Sequence, residues 1–154
     1  MQPQKNYTPK PLTRTRLEEL ALRYVGRYAA SRAMLEGTLM NHFRRARRVQ
    51  KDLIEAEVKK WIAEITAAAV RKGWLNDESY AQMIINQGKK SGWSKYKINQ
   101  KLVAKGIAPA LIKDLLQDDA ESEFQAALVY ARRKALGPFR KKKDTDPRKE
   151  MERA

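Results

Sequence analysis

Clustered basic side chains are the residues of this sequence whose type and spacing best suit one chemical task, the binding of phosphate. Four arginines fall within five consecutive positions: Arg44, Arg45, Arg47 and Arg48. The planar guanidinium group presents N–H donors that match phosphate or carboxylate oxygens in pairs. We therefore predict that this arginine cluster binds nucleic-acid phosphates or an acidic protein partner.

A second basic set surrounds a predicted turn between two helices. It consists of Lys89, Lys90, Trp93, Lys95, Lys97, Lys101 and Lys105. Lys97, Lys101 and Lys105 are four positions apart, which places them on one helix face with no acidic residue interleaved at that spacing. Ile98 and Leu102 follow them by one position and so turn toward the core. This lysine set is a second candidate surface for phosphate or an acidic partner.

The three tryptophans are candidates for stacking on nucleic-acid bases. Trp61 falls on the apolar face of a predicted helix, so we expect it in the core. Trp74 follows a predicted helix end, and we favour packing over ligand contact there. Trp93 lies in a turn beside Lys89 and Lys90, and the sequence leaves base contact and the stapling of two helices equally open.

Several catalytic and metal-binding arrangements are missing from the sequence. His42 is the only histidine, and no nucleophile motif surrounds it. The chain has no cysteine, which excludes disulfides and thiolate metal sites, and its seven glycines form no phosphate-binding loop. We assign the adjacent Asp118 and Asp119 to helix capping rather than to a metal site. We therefore predict a protein that is not an enzyme and that uses no cofactor and no metal.

The charge balance predicts a polyanionic partner. Lysine and arginine total 33 against 18 acidic residues, a net charge of +15, which favours single- or double-stranded DNA as a partner. No apolar run of signal-peptide length opens the sequence, and none reaches the roughly 20 residues that span a bilayer. We expect a cytoplasmic monomer that has no membrane contact.

Apolar residues recur at helical spacing in seven segments, and no sustained period-two pattern indicates a strand. Capping-box pairs predict that the first helix begins at Thr15, with Glu18, and the third at Asp52, with Glu55. The predicted apolar face of the third helix is Ile54, Val58, Trp61, Ile62, Ile65 and Ala69. That of the seventh is Phe124, Ala127, Leu128, Ala131 and Leu136.

The first three predicted helices resemble the next three. Tyr24 and Val25 of the first helix correspond to Ile84 and Ile85 of the fourth. In the second and fifth helices, Ser31, Leu35 and Leu39 correspond to Ser94, Ile98 and Leu102. At the third and sixth, Val49, Leu53 and Ile54 correspond to Ile107, Leu111 and Ile112. Such repetition predicts an all-α fold of tandem three-helix units in an elongated array, with no sheet. The predicted organisation is a flexible basic arm (1–14), two three-helix units (15–73 and 74–117), one helix of a third unit (118–138) and a charged, disordered tail (139–154).

The middle of the sequence resembles the RecX family. Residues 72–81 (KGWLNDESYA) resemble its signature of Gly, Leu, Asp-Glu, aromatic and Ala, and residues 92–107 resemble its continuation. RecX proteins are tandem three-helix units that bind the RecA recombinase filament and DNA and restrain RecA. The resemblance, which covers roughly residues 17–136, therefore implies a regulator of RecA.

Two features depart from the family pattern. The third unit stops after one helix, and the turn over residues 44–51 is longer and more basic than usual. The alternative hypothesis is a nonspecific nucleic-acid-binding helical protein that acts through charge alone. A nuclease is a weaker third hypothesis, because no cluster of acidic residues that could bind a metal accompanies the basic faces.

Overall fold

The computed structural model describes residues 11–116 and 120–139 of the 154-residue chain. Within these ranges the chain forms seven α-helices, one short 3-10 helix at Gly137–Phe139 and no strand, which confirms the all-α prediction. The helices are α1 (Arg14–Val25), α2 (Arg32–Ala46), α3 (Glu55–Arg71), α4 (Asp77–Lys90), α5 (Lys95–Ala104), α6 (Pro109–Leu115) and α7 (Ala120–Arg133). Most of the predicted arm (1–10), the acidic pair at 118–119 and the predicted tail beyond 139 lie outside the described residues.

Helix α1 begins earlier than the capping box predicted. Its N-cap is Thr13, whose hydroxyl accepts the backbone N–H of Arg16 at 3.2 Å. Leu12 and Leu17 flank this start at the spacing of a hydrophobic staple, and both are buried in one core. Burial of that pair fixes where the chain enters the helix, so Leu12 belongs to the folded domain and not to the predicted arm.

The predicted start of α3 at Asp52 is also wrong. The N-cap is Ile54, which supplies no side-chain hydrogen bond and is 63% exposed. The other predicted members of the face are correct, since Val58, Ile62, Ile65 and Ala69 are buried and Trp61 packs against the same core. The helix begins one turn before the first buried residue, Val58, so packing sets its start here.

Two hydrophobic cores follow the two sets of three helices. The first is formed by α1, α2 and α3 around the fully buried Leu17, Leu35, Leu39 and Phe43. The second is formed by α4, α5 and α6 around Ile85, Ile98, Leu102 and Ile112. The predicted serine caps are present: Ser31 accepts the N–H of Met34, and Ser94 accepts the N–H of Lys97.

The burial pattern corrects the register of the internal repeat. When the two capping serines, Ser31 and Ser94, are aligned, the equivalent buried pairs are Leu17 with Tyr80 and Ala21 with Ile84. When the starts of α3 and α6 are aligned, the buried pairs are Val58 with Ile112 and Ile62 with Leu116. The predicted partners Val49 and Ile54 are exposed. Both residues lie in the long basic turn that precedes α3. The corresponding connection in the second unit, between α5 and α6, is compact.

The first turn of α2 joins the two cores. The Ser31 hydroxyl, besides capping α2, donates to the backbone carbonyl of Lys105 at 2.5 Å. The backbone N–H of Arg32 donates to the Asp77 carboxylate at 2.8 Å. Met34 packs against both cores. These contacts fix the end of α5 and the start of α4 against α2.

Gly106→Ala is expected to destabilise the protein more than Gly73→Ala. Both glycines have a φ of 72°, a conformation that strains an L-residue by roughly 1–2 kcal/mol. A Cβ on Gly106 would overlap the Cβ of Ala33, whereas a Cβ on Gly73 would meet no atom within 4 Å. We therefore expect a further loss of about 1–3 kcal/mol for Gly106→Ala, measured by chemical denaturation. Equal losses for the two variants would contradict the close approach of α2 to α5.

The predicted apolar face of α7 is wrong. Phe124 is 59% exposed and Leu136 is 50% exposed. The side of α7 that packs on the second unit carries the buried Ala126 and the backbone of Tyr130. A Cβ on Gly92 would lie 2.6 Å from the backbone nitrogen of Tyr130, so α7 approaches where Gly92 has no side chain. Close backbone packing therefore overrides the larger side chains in orienting this helix.

Candidate nucleic-acid and partner interface

The arginine cluster lies at the C-terminal end of α2, and all four side chains are exposed. The buried Phe43 anchors this turn, with the Arg47 guanidinium 5.8 Å from its ring centre. Arg47 also pairs with Glu55 at 3.0 Å, and Arg44 donates to the Asn41 side chain at 3.0 Å. Cations at a helix C-terminus interact favourably with the helix dipole. The cluster therefore stabilises its own helix while it presents positive charge to solvent.

Helix α1 adds a basic residue to this surface that the sequence analysis did not identify. Arg16 and Arg45 border a groove that also contains His42. Burial lowers the pKa of His42 below its ordinary value, and the positive charges of Arg45 and Arg16 lower it further. Arg16 and His42 are far apart in sequence, and no spacing pattern connects them. Only the packing of α1 on α2 shows that Arg16 lies beside the arginine cluster.

Arg45→Ala is expected to raise the pKa of His42, because removal of a neighbouring cation makes protonation of the imidazole easier. The pKa should remain below its ordinary value, since burial is the largest cause of the shift. The measurement is an NMR titration of the His42 ring protons, with Arg48→Ala as the matched control. A larger rise in Arg48→Ala than in Arg45→Ala would contradict the arrangement of charges around His42.

The lysine set lies on α4 and α5 of the second unit. Lys89, Lys90, Lys97 and Lys101 are exposed, while Lys95 and Lys105 are half-buried. Ile98 and Leu102 are buried, which confirms the predicted facing of α5. The chain has no acidic residue between Ser79 and Lys113. Acidic charge reaches this surface from α7, where the Glu123 carboxylate accepts the backbone N–H of Lys95 at 2.8 Å.

The three tryptophans occupy different environments. Trp61 packs against the first core, as predicted. Trp74 is 47% exposed, and the ammonium nitrogen of Lys72 lies 4.5 Å from its ring centre. Trp93 is half-buried against the second core, and the ammonium nitrogen of Lys97 lies 4.8 Å from its ring centre. Trp93 therefore has a packing role between α4 and α5, and its contact with a base stays a prediction.

The arginine cluster and the lysine set are separate surfaces. Helix α2 runs from Ser31, which contacts Lys105, to the arginine cluster at its other end. Its 15 residues span roughly 22 Å at 1.5 Å per residue. The two basic surfaces therefore do not form one compact site, and together they suit an extended ligand better than a small anion.

The described part of the chain contains no group of three or more His, Cys, Asp or Glu residues that could hold a metal ion. Over the same residues, every helix is too short or too polar to cross a membrane.

Comparison with known proteins identifies the family. A family model described as "RecX, second three-helix domain" matches residues 76–116, the stretch that forms α4 to α6. The regulatory protein RecX of Myxococcus xanthus is 37% identical over 139 residues, which cover 86% of this chain and 71% of that protein. The regulatory protein RecX of Agrobacterium fabrum is 33% identical over 109 residues, covering 71% of this chain and 58% of that protein. No solved structure is significantly similar. The identity to the Myxococcus protein, over more than two thirds of its length, shows that this chain belongs to the RecX family of regulatory proteins.

Proposed function

We propose that this protein binds the RecA filament together with DNA and restrains the recombinase and ATPase activity of RecA in DNA repair and recombination. The observation that carries the proposal is the 37% identity to the regulatory protein RecX of Myxococcus xanthus over 71% of that protein. Restraint by occupancy of a filament requires binding surfaces and no catalytic residue.

The two basic surfaces give the proposal its structural form. The lysine set of the second unit would contact DNA phosphates, because its stretch of chain carries no acidic side chain. The arginine cluster lies at the far end of α2 from Lys105, a helix of 15 residues or roughly 22 Å, and would contact a second part of the filament, either phosphate or an acidic protein surface. The contacts of Ser31 and Arg32 fix the relative placement of the two units.

The test is a titration of the protein into a RecA reaction that hydrolyses ATP on single-stranded DNA. We expect hydrolysis to fall as the protein approaches the concentration of RecA. Polylysine supplied at equal total positive charge is the control for a nonspecific effect of charge. Unchanged hydrolysis over the whole titration would contradict the proposal.

The net charge of +15 supports a second candidate function, nonspecific binding of nucleic acid. Under this alternative the protein would affect RecA only by competing for DNA. Polylysine would then inhibit RecA as strongly as the protein does at equal charge. A clearly stronger effect of the protein would favour the RecA regulator.

A further inference from the structure

Helix α5 carries an exposed strip with one aromatic residue, Tyr96, on the side that faces away from the core. Tyr96 is 71% exposed and Val103 is 56% exposed. At about 100° per residue, both point away from the buried Ile98 and Leu102, by roughly 100–160° around the helix axis. Gln100 lies between Tyr96 and Val103 on the same side. We call these three residues the Tyr96 strip.

The tyrosine ring of the strip is held in place along the helix. The Tyr96 hydroxyl accepts a hydrogen bond from the Gln100 side-chain amide at 2.9 Å. A tyrosine has two side-chain torsions, so one contact at its tip restricts much of its freedom, and a ligand that stacks on it loses less entropy on binding. The hydrogen bond therefore favours one orientation of the exposed Tyr96 ring.

Positive charge flanks the Tyr96 strip on both sides. On one side, Lys97 and Lys101 lie about 100–140° from Tyr96 around the helix axis. On the other side, Lys95 and Lys113 border the groove between α5 and α6, together with Asn99. Among the described residues that line this groove, none is acidic.

This combination fits single-stranded nucleic acid. Proteins bind single strands with aromatic side chains that stack on bases and with cations that follow the backbone. A duplex offers its phosphates and groove edges but keeps the faces of its bases stacked inside. An acidic peptide would satisfy the lysines but has no need for an ordered, exposed ring. The charge together with the ring therefore favours the single strand.

We propose that Tyr96 is a platform on which an unpaired base stacks while the flanking lysines contact the neighbouring phosphates. This inference rests on the DNA binding of the proposed function and deepens it by naming the form of the strand. The Tyr96 strip distinguishes single strands from duplex, whereas the arginine cluster contacts both forms through phosphate.

The test compares the binding of two fluorescein-labelled probes at one salt concentration, by fluorescence anisotropy. The probes are an oligothymidylate of about 16 nucleotides, a length that fills one single-strand-binding module, and a duplex of the same length. The variants are Tyr96→Ala and Tyr96→Phe. Tyr28→Ala is the matched control, because Tyr28 is a tyrosine of the first unit that is 56% exposed. Circular dichroism verifies that each variant is folded.

Tyr96→Ala is expected to weaken oligothymidylate binding roughly tenfold, the effect of losing one stacked base, and to leave duplex binding within about twofold. Tyr96→Phe retains the ring and should retain most of the affinity, and Tyr28→Ala should bind both probes normally. Equal weakening on the two probes, or none on either, would overturn the inference. The inference would also be overturned if Tyr96→Ala weakened the binding of labelled polyglutamate as strongly as it weakens the binding of the oligothymidylate.

The outcomes also separate this inference from the proposed function. A wild-type protein that binds neither probe would overturn the DNA-binding part of the proposed function, and the inference with it. Wild-type binding that Tyr96→Ala leaves unchanged would overturn the platform alone.

Discussion

Leu102→Asp is expected to unfold the second three-helix unit, while Lys101→Ala leaves its stability nearly unchanged. Leu102 is fully buried in the core formed by α4, α5 and α6. A carboxylate at that position must lose its hydration or become protonated, at a cost on the order of several kcal/mol, and the apolar burial of the leucine is lost as well. Lys101 is exposed, and substitution of such residues usually changes the free energy of unfolding by less than about 0.5 kcal/mol.

The measurement is thermal and chemical denaturation of the two variants, followed by circular dichroism. We expect Leu102→Asp to lose helical signal before any denaturant is added, because the second core is small. Lys101→Ala should have the wild-type unfolding midpoint. Variants that melt alike would contradict the facing of α5, and with it the placement of the lysine set on the surface.

Replacement of the whole arginine cluster by alanine is expected to change the salt dependence of DNA binding. If the protein contacts about six phosphates of a duplex, its affinity should fall on the order of a thousandfold between roughly 50 and 200 mM salt. Each phosphate contact that is lost should reduce the slope of log affinity against log salt by roughly 0.9. The quadruple variant Arg44→Ala, Arg45→Ala, Arg47→Ala and Arg48→Ala should therefore bind more weakly at low salt and with a flatter slope.

A matched control separates local contact from net charge. It removes four positive charges from exposed positions elsewhere in the first unit, with Arg23, Arg27, Arg71 and Lys72 replaced by alanine. If the arginine cluster contacts phosphate, this control should keep the wild-type slope. Equal flattening in both quadruple variants would show that only the overall charge matters and would exclude the cluster as a specific contact.

The second unit was predictable from sequence because local signals and packing agree there. Ser94 caps α5, and Ile98 and Leu102 recur at helical spacing, so the cap and the periodicity indicate one facing, which the structure has. The lysines could then be placed on the surface by elimination. The exposure of Tyr96 was not predicted from the sequence, although Tyr96 directly precedes Lys97 on the predicted surface of α5.

The sequence was a poor guide where tertiary packing decides between local alternatives. Thr13 and Thr15 both offer a cap, and burial of Leu12 against the first core selects Thr13. In α7 the apolar pattern through Phe124 predicted the wrong face, because a backbone contact at Gly92 orients the helix. The proximity of Arg16 to His42 results from helix packing, which no residue spacing encodes.

The central claim, that this protein regulates RecA through contacts with RecA itself, is tested most directly at a salt concentration where its binding to naked DNA is lost. ATP hydrolysis by RecA on single-stranded DNA is measured there with increasing protein, under conditions in which RecA remains active. Apolar and buried contacts between proteins are screened less by salt, whereas phosphate contacts weaken steeply through counterion release. We predict that inhibition persists at concentrations comparable to that of RecA. Inhibition that disappears in step with DNA binding would contradict the claim and leave a helical protein that acts on nucleic acid through charge alone.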